Sequence, residues 1–215
     1  MGTFLTDKCQ EIRNWLALGA EVYPDAVVTG WIRMAEEYLS TTLRVKHMIQ
    51  IDTSLIVSGR VPLPLDWQEI RLVRLLPEGG VCRYQTPDNF FNPEFDDPPE
   101  SPYDTRHSRY CILGNYVMFG DVTSSPGLSV ELTYYQNIPP LTNDANNWIN
   151  SYHPTPYTLK ILHIASMYAI EDERSGLWDK EIVRAVNDMN NAHKVDMASG
   201  SVLMPTRMGR NRSFG

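Results

Sequence analysis

The sequence predicts an α+β fold: a helical bundle formed by N- and C-terminal helices, a central antiparallel β-domain, and an extended C-terminal tail. Three observations predict it. Apolar residues recur at helical spacing near both ends of the chain. From Met48 to Ile138 the period changes to two. Beyond residue 196 no period remains, and Ser, Gly, Arg and Met dominate. The expected boundaries are 1–45 with 139–196 for a discontinuous bundle, 46–138 for the β-domain and 197–215 for the tail.

Taken in order, residues 6–18 place Cys9, Ile12, Trp15 and Leu16 on one helical face, with Gly19 positioned to stop the helix. A second helix is expected to open at Pro24-Asp25, the carboxylate capping free N–H groups. Its apolar face is Val28, Trp31, Ile32, Ala35, Tyr38, Leu39 and Leu43. Met48–Ile51 and Leu55–Val57 flank polar Asp52-Thr53-Ser54, which suits a hairpin or a bent strand. Arg60–Pro64 reads as extended, because each proline excludes helical geometry from its predecessor. Asp66-Trp67-Gln68-Glu69 has capping-box spacing and predicts a short helical turn before a strand from Ile70 to Leu76.

Residues 92–109 hold four prolines and five acids, and read as an exposed loop. Tyr110–Phe119, broken by Gly114-Asn115, is a hairpin, and Leu128–Tyr135 a strand. Thr155-Pro156 supplies a cap and a first-turn proline for an apolar helix from Tyr157 to Ile170. Ser175-Gly176 opens a last helix with Leu177, Trp178, Ile182, Val186 and Met189 inward. Its pattern dissolves after Asn190-Asn191.

Of the 215 residues, 42% are apolar and 21% charged, which is ordinary for a globular protein and excludes wholesale disorder. The net charge is −7, and residues 197–215 hold Arg207, Arg210 and Arg212 with no acid, which leaves −10 for the rest. An acidic body is a poor match for stable nucleic-acid binding, whereas a basic tail suits contact with a partner. Cys9, Cys82 and Cys111 are sparse and odd in number, so they read as reduced thiols of a cytosolic fold rather than a disulfide framework. The N-terminus lacks a signal-peptide pattern and no run approaches 18 apolar residues, so no membrane association is expected.

Catalytic patterns are absent from the sequence. His47, His107, His153, His163 and His193 form no metal-ligand pair, and His163 reads as a hydrogen-bonded core residue. There is no phosphate-binding or dinucleotide loop and no nucleophile elbow. Glu171–Arg174 reads as a solvated turn, and adjacent Glu36 and Glu37 project on different bearings, which is poor geometry for paired acid–base work. Neither catalytic residues, metal ligands nor a cofactor are therefore expected.

The order of features then carries a resemblance. Leu128–Tyr135 precedes Ile138-Pro139-Pro140-Leu141, Asn147-Trp148, Tyr152-His153-Pro154, Tyr157, Glu171–Arg174 and Trp178. Upstream stand Trp31, Glu36, Leu39, Leu43-Arg44 and Leu63–Trp67. Over residues 24–182 this resembles the head-to-tail adaptors of tailed phages, the gatekeeper or tail tubular protein A type, although the 92–109 loop is foreign to the pattern. The resemblance implies a virion protein forming a ring, typically of twelve copies, below the portal protein and above the tail nozzle or tail tube protein. Genomic DNA would pass through without specific binding. It also implies that the tail reaches into the portal ring, and the residues expected to bind there are Met204, Arg207, Met208, Arg210, Arg212 and Phe214. Another tail or head-completion protein is the alternative, and a small enzyme with no recognisable site stands behind that.

Overall fold

A computed structural model describes residues 3–17, 19–77, 80–91, 109–120, 128–169 and 174–199. Helices occupy both ends of the chain and strands its middle. Helix α1 (Phe4–Leu16) buries Cys9, Ile12 and Leu16, while Trp15, at the flank of that stripe, is 56% exposed. The helix ends at Ala17, which takes the left-handed conformation (φ 54°) expected further on at Gly19. Helix α2 (Asp25–Thr42) buries Val28, Trp31, Ile32, Ala35 and Leu39, and Leu43 just beyond it, with Tyr38 partly buried. Pro24 stands at its N-cap without a side-chain cap. Asp25 instead pairs with the Arg13 guanidinium, which also donates from Nε to the Tyr23 carbonyl (2.9 Å), so it ties α1 to α2 rather than capping.

A 3₁₀ turn (Lys46–Met48) leads into strand β1 (Ile49–Leu55), which runs unbroken through Asp52-Thr53-Ser54. The polar trio marks no turn because β1 lies at a sheet edge, where one flank of the strand is wet. After β2 (Arg60–Pro62), Trp67 begins β3 (Trp67–Leu76), and the expected helical turn at Asp66 is a tight turn closed by Trp67 N–H on the Pro64 carbonyl (3.2 Å). Asp66 caps nothing. Its carbonyl accepts from Asn137 N–H (2.7 Å) and its carboxylate from the Tyr134 hydroxyl (3.1 Å).

Strand β4 (Arg83–Tyr84) and short helix α3 (Pro87–Phe91) follow. Strands β5 (Arg109–Leu113) and β6 (Tyr116–Phe119) form the expected hairpin, with Gly114 at φ 59° supplying the positive angle its turn demands. Strand β7 (Ser129–Gln136) lies between β1 and β3, antiparallel to both. A second sheet has the order β2-β6-β5-β4, in which β4 runs parallel to β5, so the β-region is antiparallel except there. The acidic stretch 92–108 lies outside the described residues.

Helix α4 (Trp148–Tyr152) is followed at once by α5 (Pro154–Ala169), which opens on Pro154, one residue before the predicted cap Thr155. Helix α6 (Ser175–Ser199) buries Trp178, Ile182 and Val186, leaves Leu177 59% exposed, and continues past Asn190-Asn191. The continuation has a cause. Asn190 Oδ1 accepts from Arg44 N–H (2.8 Å) and its amide donates to the Thr42 carbonyl (3.0 Å), closing the C-terminal end of α2, and His193 packs one turn on. Residues 197–199, expected in the tail, are therefore helical. Glu171–Glu173 and 200–215 lie outside the described residues.

Two apolar clusters result. The helical one gathers α1, α2, α5 and α6 around Ile32, Leu39, Tyr157, Ile161 and Ile182. The other lies between the sheets, around Val61, Val73, Val117, Phe119 and Leu132. The tyrosine pair ending β7 joins them, because successive strand residues face opposite ways. Tyr134 belongs to the sheet cluster and Tyr135 to the helical one.

Candidate functional site

Residues that carried the resemblance converge on one buried carboxylate. Glu36, 5% exposed on α2, lies one turn from Ile32 and one turn from Ser40, so helical spacing turns it inward while Glu37 faces out. Glu36 Oε1 accepts from Leu141 N–H (2.8 Å), the Asn147 side-chain amide (2.9 Å) and the Tyr157 hydroxyl (2.8 Å). Oε2 pairs with Arg33 (2.7 Å), whose guanidinium also donates to the Leu141 carbonyl (2.8 Å). One turn on, Ser40 Oγ accepts from Ile138 N–H (2.9 Å). Asn147 also N-caps α4, its Oδ1 accepting from Asn150 N–H (2.9 Å).

The polar stripe Arg33, Glu36 and Ser40 thus clamps the connector that leaves β7 and enters α4. Each donor would cost on the order of 1–3 kcal/mol if buried without a partner. Tyr157, wholly buried in α5, has its hydroxyl pushed upward in pKa by burial and then by the Glu36 charge, so it remains a proton donor. A carboxylate satisfied from four directions is held in place, which suits a joint between sheet and helices better than proton transfer.

A second clamp ties α1 to α5. Buried Lys8 donates to Thr158 Oγ1 (2.7 Å) and pairs with Glu11 (3.0 Å), to which Thr158 also donates (2.9 Å). Burial lowers the lysine pKa and the Glu11 carboxylate opposes the shift. At the end of β7, the Arg44 and Arg71 guanidinium groups lie 5.6 and 5.3 Å from the Tyr135 ring centre, in cation–π range.

Three of the five histidines meet although the sequence scatters them. His47 stacks on Trp148 (5.5 Å) and Tyr152 (4.9 Å), and its ring lies 6.3 Å from that of His153. His193 lines the same groove, its Nε2 3.3 Å from the Tyr135 hydroxyl. His163 packs within α5 with Nε2 4.0 Å from Asp179, but its buried Nδ1 has no hydrogen-bond partner among the described residues, so it is less fully bonded than expected. His107 lies outside the described residues. Among those residues no group of three or more His, Cys, Asp or Glu side chains is placed to hold a metal ion, and no helix is long and apolar enough to cross a membrane. All three thiols are free and buried.

Sequence reasoning set Glu36 aside as one of two neighbouring acids and passed over Ser40, Lys8, Asn190 and the histidine groove. For Glu36 a signal existed in its place on the inward stripe of α2. For the rest, the partners across the fold lie 58 to 150 residues away and nothing local marks them. The tail residues Met204, Arg207, Met208, Arg210, Arg212 and Phe214 fall outside the described residues, so the structure neither brings them together nor separates them.

A search of curated proteins returns no match. The SU10 adaptor protein family matches residues 5–208, from the first turn of α1 to beyond the end of α6, and so takes in the Glu36 clamp, both sheets and the start of the tail. With nearly the whole chain inside that pattern, the protein belongs to the SU10 adaptor family, a family of phage head-to-tail adaptors and hence of virion structural components.

Proposed function

We propose that this adaptor is a mechanical connector that catalyses nothing, joins the portal ring to the tail nozzle as a ring of twelve copies, and lines the DNA channel. The bundle of 1–45 and 139–196 faces the portal in this reading, and the β-domain of 46–138 faces the tail. The observation that carries it is the span of the family pattern, which continues to residue 208 after α6 has ended at Ser199. A segment that the family pattern retains beyond the described end of α6 supports a role for it in contact with a partner. The charge distribution agrees: −10 on residues 1–196 gives a channel wall that repels phosphates and lets a duplex slide, while three arginines on the tail suit carboxylates of a partner.

In this reading Met204, Met208 and Phe214 are apolar anchors between portal subunits, and Arg207, Arg210 and Arg212 meet portal acids. Large anchors and arginines commonly carry most of an interface's energy. The isolated subunit is then a monomer that forms a ring on the portal. Removing residues 204–215 should leave melting temperature and helix content unchanged and abolish co-sedimentation with portal. Replacing the three arginines by alanine should weaken attachment more at low salt than at high salt. Normal portal binding by the truncated chain would overturn the tail's role. A stable ring without portal at micromolar concentration would overturn the order of assembly.

A further inference from the structure

A groove of about 500 Å³ opens beside the second half of α6. Val45, Met189 and Ala192 line it with apolar groups, and the rings of His47 and Tyr152, stacked at 4.9 Å, form an aromatic wall. Its charged groups are already matched: Asp196 pairs with Lys46 at 3.7 Å and Asp188 with Arg184 at 4.0 Å. With no unpaired charge among these four groups, the groove suits an apolar occupant rather than an ion.

The same chain presents such a group elsewhere. Leu65, between Pro64 and Asp66, has a side chain that is 105% exposed. A lone exposed leucine is ordinary, but this one stands on a fixed platform. Leu63 N–H donates to the Asn115 carbonyl (2.9 Å), Trp67 N–H to the Pro64 carbonyl (3.2 Å) and Asn137 N–H to the Asp66 carbonyl (2.7 Å). Pro62 and Pro64 restrict the backbone further. Little conformational freedom is left for this turn to lose on binding, which favours it as an anchor. Proline-flanked extended segments also pack readily against aromatic walls.

The leucine and the groove cannot meet within one subunit. The Tyr134 hydroxyl bonds to the carboxylate of Asp66, the neighbour of Leu65 (3.1 Å), whereas the Tyr135 hydroxyl lies 3.3 Å from Nε2 of His193 in the groove. Successive residues of a strand point to opposite faces, so the leucine turn lies on one side of β7 and the groove on the other. A knob and a hole on opposite sides of identical copies join head to tail, a contact that repeats from copy to copy until it closes.

We propose that Leu65 of one copy enters the groove of the next, against Val45, Tyr152 and Met189, and is an anchor of the ring. The proposal rests on the ring of the proposed function and names two surfaces that build it.

The full-length chain assembled on portal tests it. Leu65→Cys combined with Ala192→Cys places one thiol on the knob and one in the groove, both at exposed positions, while the three native thiols are buried. A short bismaleimide should link this double variant on portal into a ladder of covalent oligomers. An equal mixture of the two single variants should stop at dimers, and each single variant alone should stay unlinked. Leu65→Asp should keep the parent's melting temperature and lower incorporation into the ring roughly ten-fold or more, as loss of a packed anchor does, with Leu65→Met close to the parent. A ring that gives no ladder would overturn this contact and leave the ring itself standing. So would a Leu65→Asp chain that assembles as well as the parent. Dimers from Leu65→Cys alone would set leucine against leucine across a twofold axis and overturn the head-to-tail contact. Failure of the parent chain to form any ring on portal would overturn both the contact and the reading it rests on.

Discussion

The helical and β halves handle polar residues in opposite ways. In the helical half, charged groups are drawn inside and fully bonded: Glu36, Lys8 and Arg13 are all at most 5% exposed, each holding two segments together. In the β half the edge strand β1 reverses the usual pattern. Gln50, Asp52 and Ser54 lie opposite Tyr134, Leu132 and Val130 on the core side, while Ile51 and Leu55 lie opposite Thr133 and Ser129 on the outer side, both 64% exposed. Val57 (66%) and Leu65 (105%) add to the exposed apolar surface of this half. Interior polar groups that are bonded define a joint, whereas the exposed apolar side chains of β1 sit on a sheet edge; the helical half exposes apolar groups too, at Trp15, Tyr168 and Val195.

The comparison is broken most severely at Glu36. Glu36→Ala removes the acceptor of three buried donors and the partner of Arg33, so a loss on the order of 3–5 kcal/mol in denaturant unfolding is expected. Glu36→Gln keeps one acceptor oxygen and should cost clearly less. Equal losses for the two variants would show that the charge on Glu36, rather than its hydrogen-bond geometry, holds the connector.

How much of this was legible follows the same division. The inward stripe of α2, the β5–β6 hairpin and strand β7 were readable because their signals are local: period, turn glycine, alternation. Strand β1 was misjudged because polar residues on its core-facing side look like a turn when the neighbouring strand, β7, is some 80 residues away in sequence. The end of α6 was cut short for a similar reason. Asn190 reads as a breaker in isolation, yet its side chain spends its bonding capacity on Arg44 and Thr42. Beyond the place of Glu36 on the inward stripe of α2, the site was legible only through the order of family-like features, which named Glu36, Asn147 and Tyr157 without showing that they touch.

A milder break comes from acid, and it acts on the helical half. Burial holds His153 and His193 below the ordinary histidine pKa, with His47 adding to the effect at His153 and Arg71 at His193; burial also lowers His163, with Lys160 adding to it. The folded state therefore binds fewer protons than the unfolded chain just below pH 6.5, so the unfolded state gains as protons are added. Stability from these groups is fully present above about pH 6.5 and is lost as pH falls through their lowered folded values. Melting temperature measured from pH 7.5 to 5 should fall. His193→Gln, which can keep a contact to Tyr135 without titrating, should flatten part of that fall, and an unchanged slope would exclude His193 as a contributor.

The smallest effect on folding belongs to β1. Lysine at exposed strand positions is a common device against edge pairing and carries little penalty where the side chain was already in water. Ile51→Lys with Leu55→Lys should then leave unfolding free energy within about 0.5 kcal/mol of the parent, because neither residue belongs to a buried cluster. The same pair of charges should weaken any association that covers the outer face of the β1-β7-β3 sheet, since burying an unpaired ammonium is costly. The two readouts separate the two halves of the molecule: unchanged melting with diminished incorporation into the proposed portal-bound ring marks β1 as a contact surface. A melting loss as large as that of Glu36→Ala would mean that Ile51 and Leu55 support the fold itself, and the contrast between the bonded interior of the bundle and the exposed apolar edge of the sheet would not hold.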